Sequence, residues 1–186
     1  MDTRTALLSL AERMMRQRGY DAVSFGDLAH DIGIKTASVH YHFAKKTDLA
    51  VELLQAYATK LSRLRANISA NSATGGAAIR SLVALYRAAL DDGQQMCLSV
   101  SLSAGRDSLD ETARDALNGI LQDSVDWLEA TFDRAQSDGS MLGITSAKDE
   151  AVACLALLEG AQLLARAAGE LAPYDAATRE LITRIR

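Results

Sequence analysis

Residues 24–49 read SFGDLAHDIGIKTASVHYHFAKKTDL and decide the fold, because they carry the signals for two short helices joined by a tight turn. Ser24, followed three residues later by Asp27, is a capping-box arrangement at the start of the first helix. Apolar residues at helical spacing follow, and Gly33 stands where a left-handed residue can end that helix. We expect Thr36 to cap the second helix.

The second helix is short enough to lie in a groove of DNA. Eight residues, Thr36 to Phe43, span about 12 Å at about 1.5 Å per residue. The major groove of B-DNA is about 12 Å wide. Val39 and Phe43 form the inward stripe of this helix. On a helical wheel Ala37, Ser38 and Tyr41 point away from this stripe, and His40 and His42 lie on the flanks. The stretch therefore predicts a helix-turn-helix that presents its second helix to DNA.

The same stretch resembles the helix-turn-helix of the TetR family of one-component regulators. The matching residues are Leu28-Ala29, Gly33-Ile34, Ser38 to Phe43, Lys46 and Leu49, preceded by Arg18-Gly19-Tyr20. The resemblance implies an all-α protein with an N-terminal three-helix helix-turn-helix DNA-binding domain at residues 1–47. Residues 48–186 would form a C-terminal helical ligand-binding and dimerisation domain. His40 departs from the family pattern, since most relatives carry tyrosine there.

Composition agrees with a helical protein of one or two small domains. The chain has 186 residues, 48% of them apolar, and a single proline. Net charge is −4, but residues 1–48 have seven Lys/Arg against six Asp/Glu, while residues 49–186 have thirteen against eighteen. This asymmetry fits a DNA-reading head on an acidic body.

The expected location is the cytoplasm. Two cysteines are too few for a disulfide framework and suggest a reducing compartment. The N-terminus lacks the pattern of a signal peptide. We expect no contact with a membrane, because the most apolar stretch, Ala151 to Gly169, is interrupted by Glu159 and Arg166.

Ten residues are predicted to contact double-stranded operator DNA. Thr36, Ala37 and His40 are expected near base edges. Four others are expected to hold phosphates: Ser24, Tyr41, His42 and Lys46. Ser38 also faces outward, and Lys35 and Lys45 add electrostatic attraction. The alternative is a helical hairpin that only packs. A metal site at His40 and His42 is not expected, because residues two apart on a helix do not share a face.

The rest of the chain predicts further helices separated by loops. The predicted helices are about 3–18, 48–68, 77–90, 95–104, 110–137, 147–168 and 175–186, with a possible break near Asn118-Gly119. Thr47 is a possible cap, and residues 69–76 predict a flexible loop. The helix at 147–168 is apolar on almost every side, which with the stripe at 120–135 predicts a homodimer. The alternative is that both helices fill a monomer core.

The resemblance further implies that a small-molecule effector binds among the body helices and releases the protein from DNA. Six residues are candidates for contact with the effector: Tyr86, Met96, Cys97, Val100, Trp127 and Phe132. A thiol-based electrophile or redox sensor using Cys97 is an alternative, although a buried inert thiol is the simpler interpretation. A small-molecule-binding protein without DNA binding is a further alternative. No catalytic motif is present, so we expect neither an enzyme nor a cofactor.

Overall fold

The computed structural model describes residues 2–186, which are helical throughout except for connecting loops and one isolated bridge between Met141 and Ile185. A short 3-10 helix lies at Arg106–Ser108. The α-helices are α1 (Thr3–Arg18), α2 (Phe25–Ile32), α3 (Thr36–His42), α4 (Lys46–Asn71), α5 (Gly75–Ala88), α6 (Leu98–Ala104), α7 (Glu111–Ser137), α8 (Ala147–Ala168) and α9 (Ala172–Thr183). The predicted all-α fold is confirmed.

Two predicted helices have the expected bounds, and α7 corrects a third. Helix α1 and helix α8 begin and end where the apolar periodicity places them. Helix α7 continues without a break through Asn118-Gly119, so the predicted interruption is wrong. A single glycine costs a helix only about 1 kcal/mol, which a long helix with a buried stripe can tolerate.

The flexible loop predicted at residues 69–76 is wrong. Helix α4 extends to Asn71, and α5 already begins at Gly75, with Thr74 accepting a hydrogen bond from the Ala77 amide. Gly75 is buried, and its amide donates a hydrogen bond to Asp138 Oδ2 at 2.7 Å. A Cβ atom on Gly75 would lie 2.3 Å from the backbone nitrogen of Ala135. The glycine therefore allows close packing of two helices.

The predicted helix at residues 95–104 is shorter than expected. Only Leu98–Ala104 is helical, because the chain first makes a tight reversal in which Asp91, Asp92 and Gly93 have φ values of 49°, 50° and 82°. A buried hydrogen bond holds the segment just before α6, since the Cys97 amide donates to Gln162 Oε1 at 2.7 Å.

Two predicted caps are also wrong. Thr36 is the first residue of α3, and the N-cap position belongs to Lys35, which makes no side-chain cap bond. Helix α4 begins at Lys46, ahead of Thr47, and Asp48 supports this end by accepting the Lys45 amide at 2.9 Å.

The first compact unit contains residues 2–59 and Leu98–Ile120. Its core includes Leu7, Met15, Leu28, Val39 and Leu49, all with essentially no exposed surface. Helix α6 packs on α1, and the hydroxyl of Ser101 donates to the carbonyl of Met15. Residues 98–120 therefore pack with the N-terminal helices, although they come later in the chain. The functional boundary after residue 47 stays a prediction.

The second compact unit contains Lys60–Cys97 and Leu121–Arg186. Its core is built by α5, the second half of α7, α8 and α9, with Phe132 and Tyr174 fully buried. The Tyr174 hydroxyl donates to the Val83 carbonyl at 2.8 Å.

Helix α8 has one face in this core and one face in solvent. Ala151, Leu158 and Ala165 are fully buried, whereas Val152 is 53% exposed and Leu164 is 57% exposed. By length and composition alone, α8 could cross a membrane. Its buried stripe, however, belongs to the hydrophobic core of the second unit.

Candidate functional site

The start of α2 is fixed by the predicted capping box. The Ser24 amide donates to Asp27 Oδ2 at 2.8 Å, and the Asp27 amide donates to Ser24 Oγ at 3.2 Å. The hydroxyl of Ser24 also donates to Asp27 Oδ2 at 2.6 Å. The Ser24 hydroxyl, followed by the Ser24 amide, lowers the pKa of the Asp27 carboxyl. The carboxylate is therefore stabilised where the helix dipole also favours it.

The turn between α2 and α3 closes as the sequence predicts. Gly33 is left-handed, with φ 78° and ψ 34°. The amides of Gly33 and Ile34 both donate to the Ala29 carbonyl, at 3.0 and 2.9 Å. These bonds satisfy the last carbonyls of α2 and fix the direction in which α3 leaves.

Helix α3 has a buried side and an exposed side. Val39 is fully buried and Phe43 is 3% exposed, while Tyr41 is 86% exposed. A tyrosine with this much exposure has little packing energy to hold it in place. The helix is therefore anchored by its inner residues and presents its outer side chains to a partner.

Five of the predicted DNA contacts lie around one open recess of about 470 Å³ in the first unit. The recess is lined by Thr3, Ile34, Lys35, Ala37, Ser38, Tyr41 and His42. The rings of Tyr41 and His42 meet edge to face, with centroids 5.3 Å apart. The outer face of α3 is thus a shaped surface of polar and aromatic groups beside a lysine.

The other five predicted contacts have different surroundings. Ser24 serves as a helix cap, and Thr36 and Lys45 are exposed near helix ends. His40 is exposed, and its ring lies edge to face on Phe25 with centroids 4.9 Å apart. Lys46 Nζ lies 4.1 Å from the ring centroid of Tyr20 and is half-buried.

Lys46 is half-buried beside two carboxylates and an aromatic ring. Burial lowers the pKa of this ammonium group, and the nearby carboxylates of Asp21 and Asp27 oppose that change. The contact with the face of Tyr20 is a cation–π interaction that holds the side chain in one direction. Sequence reasoning missed Tyr20 as the partner and Thr3 as a wall of the recess, since neither has a local signal for these positions.

The predicted effector contacts are only partly brought together. Tyr86 and Trp127 line a small cavity of about 10 Å³ in the second unit, with Leu61, Arg65, Leu82, Leu85, Ser124 and Leu128. Phe132 is fully buried in the core of this unit, and Cys97 is 4% exposed. Met96 is half-buried outside the cavity lining, and Val100 belongs to the first unit.

Sequence reasoning missed two polar residues of this cavity, Arg65 and Ser124. Arg65 is only 9% exposed, and its Nη1 donates to Ser124 Oγ at 2.8 Å. A signal was present, because Arg65 follows Leu61 by four residues and so occupies a core position on α4. Within residues 2–186, no group of three or more His, Cys, Asp or Glu side chains could hold a metal ion.

A helix-turn-helix with an exposed second helix, followed by further helices, is an architecture found in DNA-binding proteins. The sequence profile of "Bacterial regulatory proteins, tetR family" matches residues 7–53. The HTH-type transcriptional repressor KstR2 of Mycobacterium tuberculosis is 39% identical over 54 residues. That match covers 29% of this chain and 27% of KstR2, so it spans about a quarter of the length of that curated relative.

Solved structures extend the comparison to the whole chain. A TetR-family transcriptional regulator from Agrobacterium tumefaciens has a TM-score of 0.92 at 27% identity, covering 98% of this chain and 96% of that one. AibR, solved with isovaleryl coenzyme A and operator DNA, shares the fold at 16% identity with a TM-score of 0.77, covering 99% of this chain and 98% of AibR. Residues 7–53 therefore match the TetR family, and the whole chain shares the fold of TetR-family transcriptional regulators.

Proposed function

We propose that the protein is a repressor that binds a palindromic operator as a homodimer and is released by a small molecule. The observation that carries the proposal is the exposed outer face of α3, held by a capped and tightly turned α2. On this proposal Thr36, Ala37 and His40 approach base edges, and Ser24, Tyr41, His42 and Lys46 hold phosphates. Lys35, Ser38 and Lys45 complete the contact surface.

The relatives support this role. KstR2 is described as a transcriptional repressor, and the TetR family model covers the helix-turn-helix of this chain. AibR was solved in a complex with operator DNA and an acyl thioester. A protein of the same fold therefore combines DNA binding with small-molecule binding.

Two features favour a homodimer: the shortness of α3 and the exposed apolar face of α8. One short helix reads few base pairs, and two-fold dimers solve this by binding two half-sites. The solvent face of α8 offers the apolar surface for such pairing, with Val152, Leu163 and Leu164 each about half exposed. Apolar side chains in one row on a helix favour burial against an identical row.

Release by an effector requires different affinities for two conformations. The effector must bind better to a conformation that binds the operator less well. Helix α4 contributes to both compact units, since it runs from Lys46 to Asn71 across the division after residue 59. We propose that a shift of this helix couples the effector to DNA binding.

The thiol-sensor alternative receives no support from the surroundings of Cys97. A sensing thiol needs access to its oxidant, and Cys97 is 4% exposed. Cys154 is 2% exposed, and burial raises its pKa to about 12, which keeps it in the unreactive thiol form.

Selection of bound duplexes from a random pool tests the proposal. We expect enrichment of a near-palindrome, with affinity measured afterwards by fluorescence anisotropy. Ala37→Glu places a negative charge on the outer face of α3 and should abolish binding. Ala66→Glu, at an exposed alanine of α4, is the matched control and should bind as the wild type does. Failure to enrich any duplex, with a small molecule still bound, would support the alternative of a ligand carrier.

A further inference from the structure

The cavity of the second unit has one positively charged side chain in its lining, Arg65. Arg65 is 9% exposed, and its one hydrogen bond goes to the neutral hydroxyl of Ser124. The negative charge of Glu159 also acts at this cavity, through its effect on the hydroxyl of Tyr86. A guanidinium has five N–H donors arranged as a fork, and one hydroxyl can satisfy few of them. Burying such a charge costs free energy unless an anion compensates it.

The other walls of the cavity are mostly apolar. Leu61, Leu82 and Leu128 are buried, and Leu85 and Trp127 are half-buried. A ligand that matches both parts has an anionic head and an apolar body. Pockets for small molecules commonly combine mostly apolar walls with a few polar groups that fix orientation.

Tyr86 supplies a second donor at the same cavity. Burial raises the pKa of its hydroxyl well above the ordinary value of 10, and the negative charge of Glu159 acts in the same direction. The hydroxyl is therefore protonated at neutral pH and able to donate a hydrogen bond. The nearby Glu159 charge also disfavours a doubly charged head, so a carboxylate suits the site better than a phosphate.

We propose that Arg65, with Ser124 and Tyr86, binds the carboxylate of an effector whose apolar chain lies among the leucines and Trp127. This inference deepens the proposed function and rests on it only for the release of DNA. The present cavity, about 10 Å³, holds at most one water. Binding of an acid must therefore displace side chains, and the half-buried Leu85 and Trp127 are the ones at the edge. An opening of this kind provides the two conformations that release requires.

Trp127 is the only tryptophan in the chain and reports on the cavity directly. Its fluorescence is titrated with straight-chain acids from butanoate to decanoate, and with octan-1-ol as the neutral match for octanoate. We expect saturable binding that strengthens with chain length, and octanol at least tenfold weaker than octanoate. The absence of saturable binding across the series, or equal binding of the alcohol, would overturn the proposal.

Variants separate recognition of the acid from a structural role of Arg65. Arg65→Met should weaken octanoate binding at least tenfold, and Arg65→Lys should weaken it less. Arg80→Met, at an exposed arginine of α5 in the same unit, is the control and should bind normally. The midpoint of thermal unfolding without ligand should not fall in Arg65→Met, since methionine keeps the packing of the apolar stem of the arginine. A clear fall in that midpoint, or unchanged octanoate affinity, would show that Arg65 is a structural residue.

Release from DNA is measured separately from the fluorescence titration. Octanoate should release the wild-type protein from its selected duplex and should fail to release Arg65→Met. If no duplex is selected, the proposed repressor is wrong, while the fluorescence titration still decides whether the cavity binds acids. If the duplex binds and octanoate binds without releasing it, the carboxylate is not the effector, and the inference is wrong by itself.

Discussion

Ser24 shows how much one side chain can determine about the DNA-binding head. Its hydroxyl accepts the Asp27 amide and donates to the Asp27 carboxylate, so it serves both ends of the capping box. The direction of α2 sets the position of the turn at Gly33 and hence of α3. A loss at Ser24 should therefore affect DNA binding through structure, in addition to the proposed phosphate contact.

Ser24→Ala should lower the free energy of unfolding by about 1 kcal/mol, the usual value of an N-cap. For a chain of this size the midpoint of thermal unfolding should fall by about 2–4 °C. Ser24→Thr keeps the hydroxyl and is the control. Calorimetry on the three proteins checks the expectation, and an equal fall in both variants would contradict it.

The advantage of wild type over Ser24→Ala should depend on pH. The pKa of Asp27 lies below its ordinary value of 3.8 in the folded protein, chiefly through the Ser24 hydroxyl. A lowered carboxyl pKa stabilises the fold above the unfolded pKa, and this contribution is lost as pH falls through the folded pKa. Urea unfolding at pH 6 and pH 3 should show a smaller difference at pH 3. A difference that grows in acid would contradict this assignment.

A further prediction at the level of single residues concerns the positive charge of Lys46. On the proposed function, Lys46→Ala should weaken binding to all duplexes and lower the salt slope, the dependence of log K on log salt, by about one unit. Lys148→Ala, at an exposed lysine of α8, removes the same charge and should leave the slope unchanged. An unchanged slope for Lys46→Ala would show that Lys46 only packs on Tyr20.

At the scale of helices, glycines show what the sequence could predict. Periodicity placed α1 and α8 correctly, and turn chemistry placed Gly33 correctly, since these signals are local. Gly75 was predicted to lie in a loop, and this was wrong. Glycine is needed there because a side chain would meet the backbone of Ala135, which is sixty residues later in the sequence. Similarly, Tyr41 could be placed on the outer face of α3 from spacing alone. The charge of Arg65 facing a cavity depends on packing that no local pattern encodes.

Two glycine substitutions should have opposite effects on stability. Gly75→Ala should lower the free energy of unfolding by about 1–3 kcal/mol, as overpacking usually does, because its Cβ would meet the backbone of Ala135. Gly119→Ala in α7 meets nothing within 4 Å and should raise it by about 0.5–1 kcal/mol. Urea unfolding of the two variants checks both signs, and stabilisation by Gly75→Ala would contradict the packing account.

For the whole molecule, the proposed homodimer would use the solvent face of α8 as its interface. A helix with one face in the core and a second apolar face in water favours burial of that second face against a partner. Leu163 and Leu164 are 48% and 57% exposed on that second face. The double variant Leu163→Glu with Leu164→Glu should convert a dimer into a monomer.

Light scattering after gel filtration measures this change, and the monomer should lose affinity for the full palindrome. Leu142→Glu is the matched control, since Leu142 is 46% exposed outside α8 and should leave the dimer intact. A dimer that survives the double variant would place the interface elsewhere.

The burial of both native thiols has a practical consequence for spectroscopy. Cys97 and Cys154 are 4% and 2% exposed, so a maleimide reagent in native buffer has no accessible target. A single cysteine introduced at an exposed position, such as Ala66, would therefore carry a spin label alone, without prior removal of the native pair. In an assembly of two identical chains, each such position would yield one distance, and a series of positions would map how the chains rearrange when an acid is added.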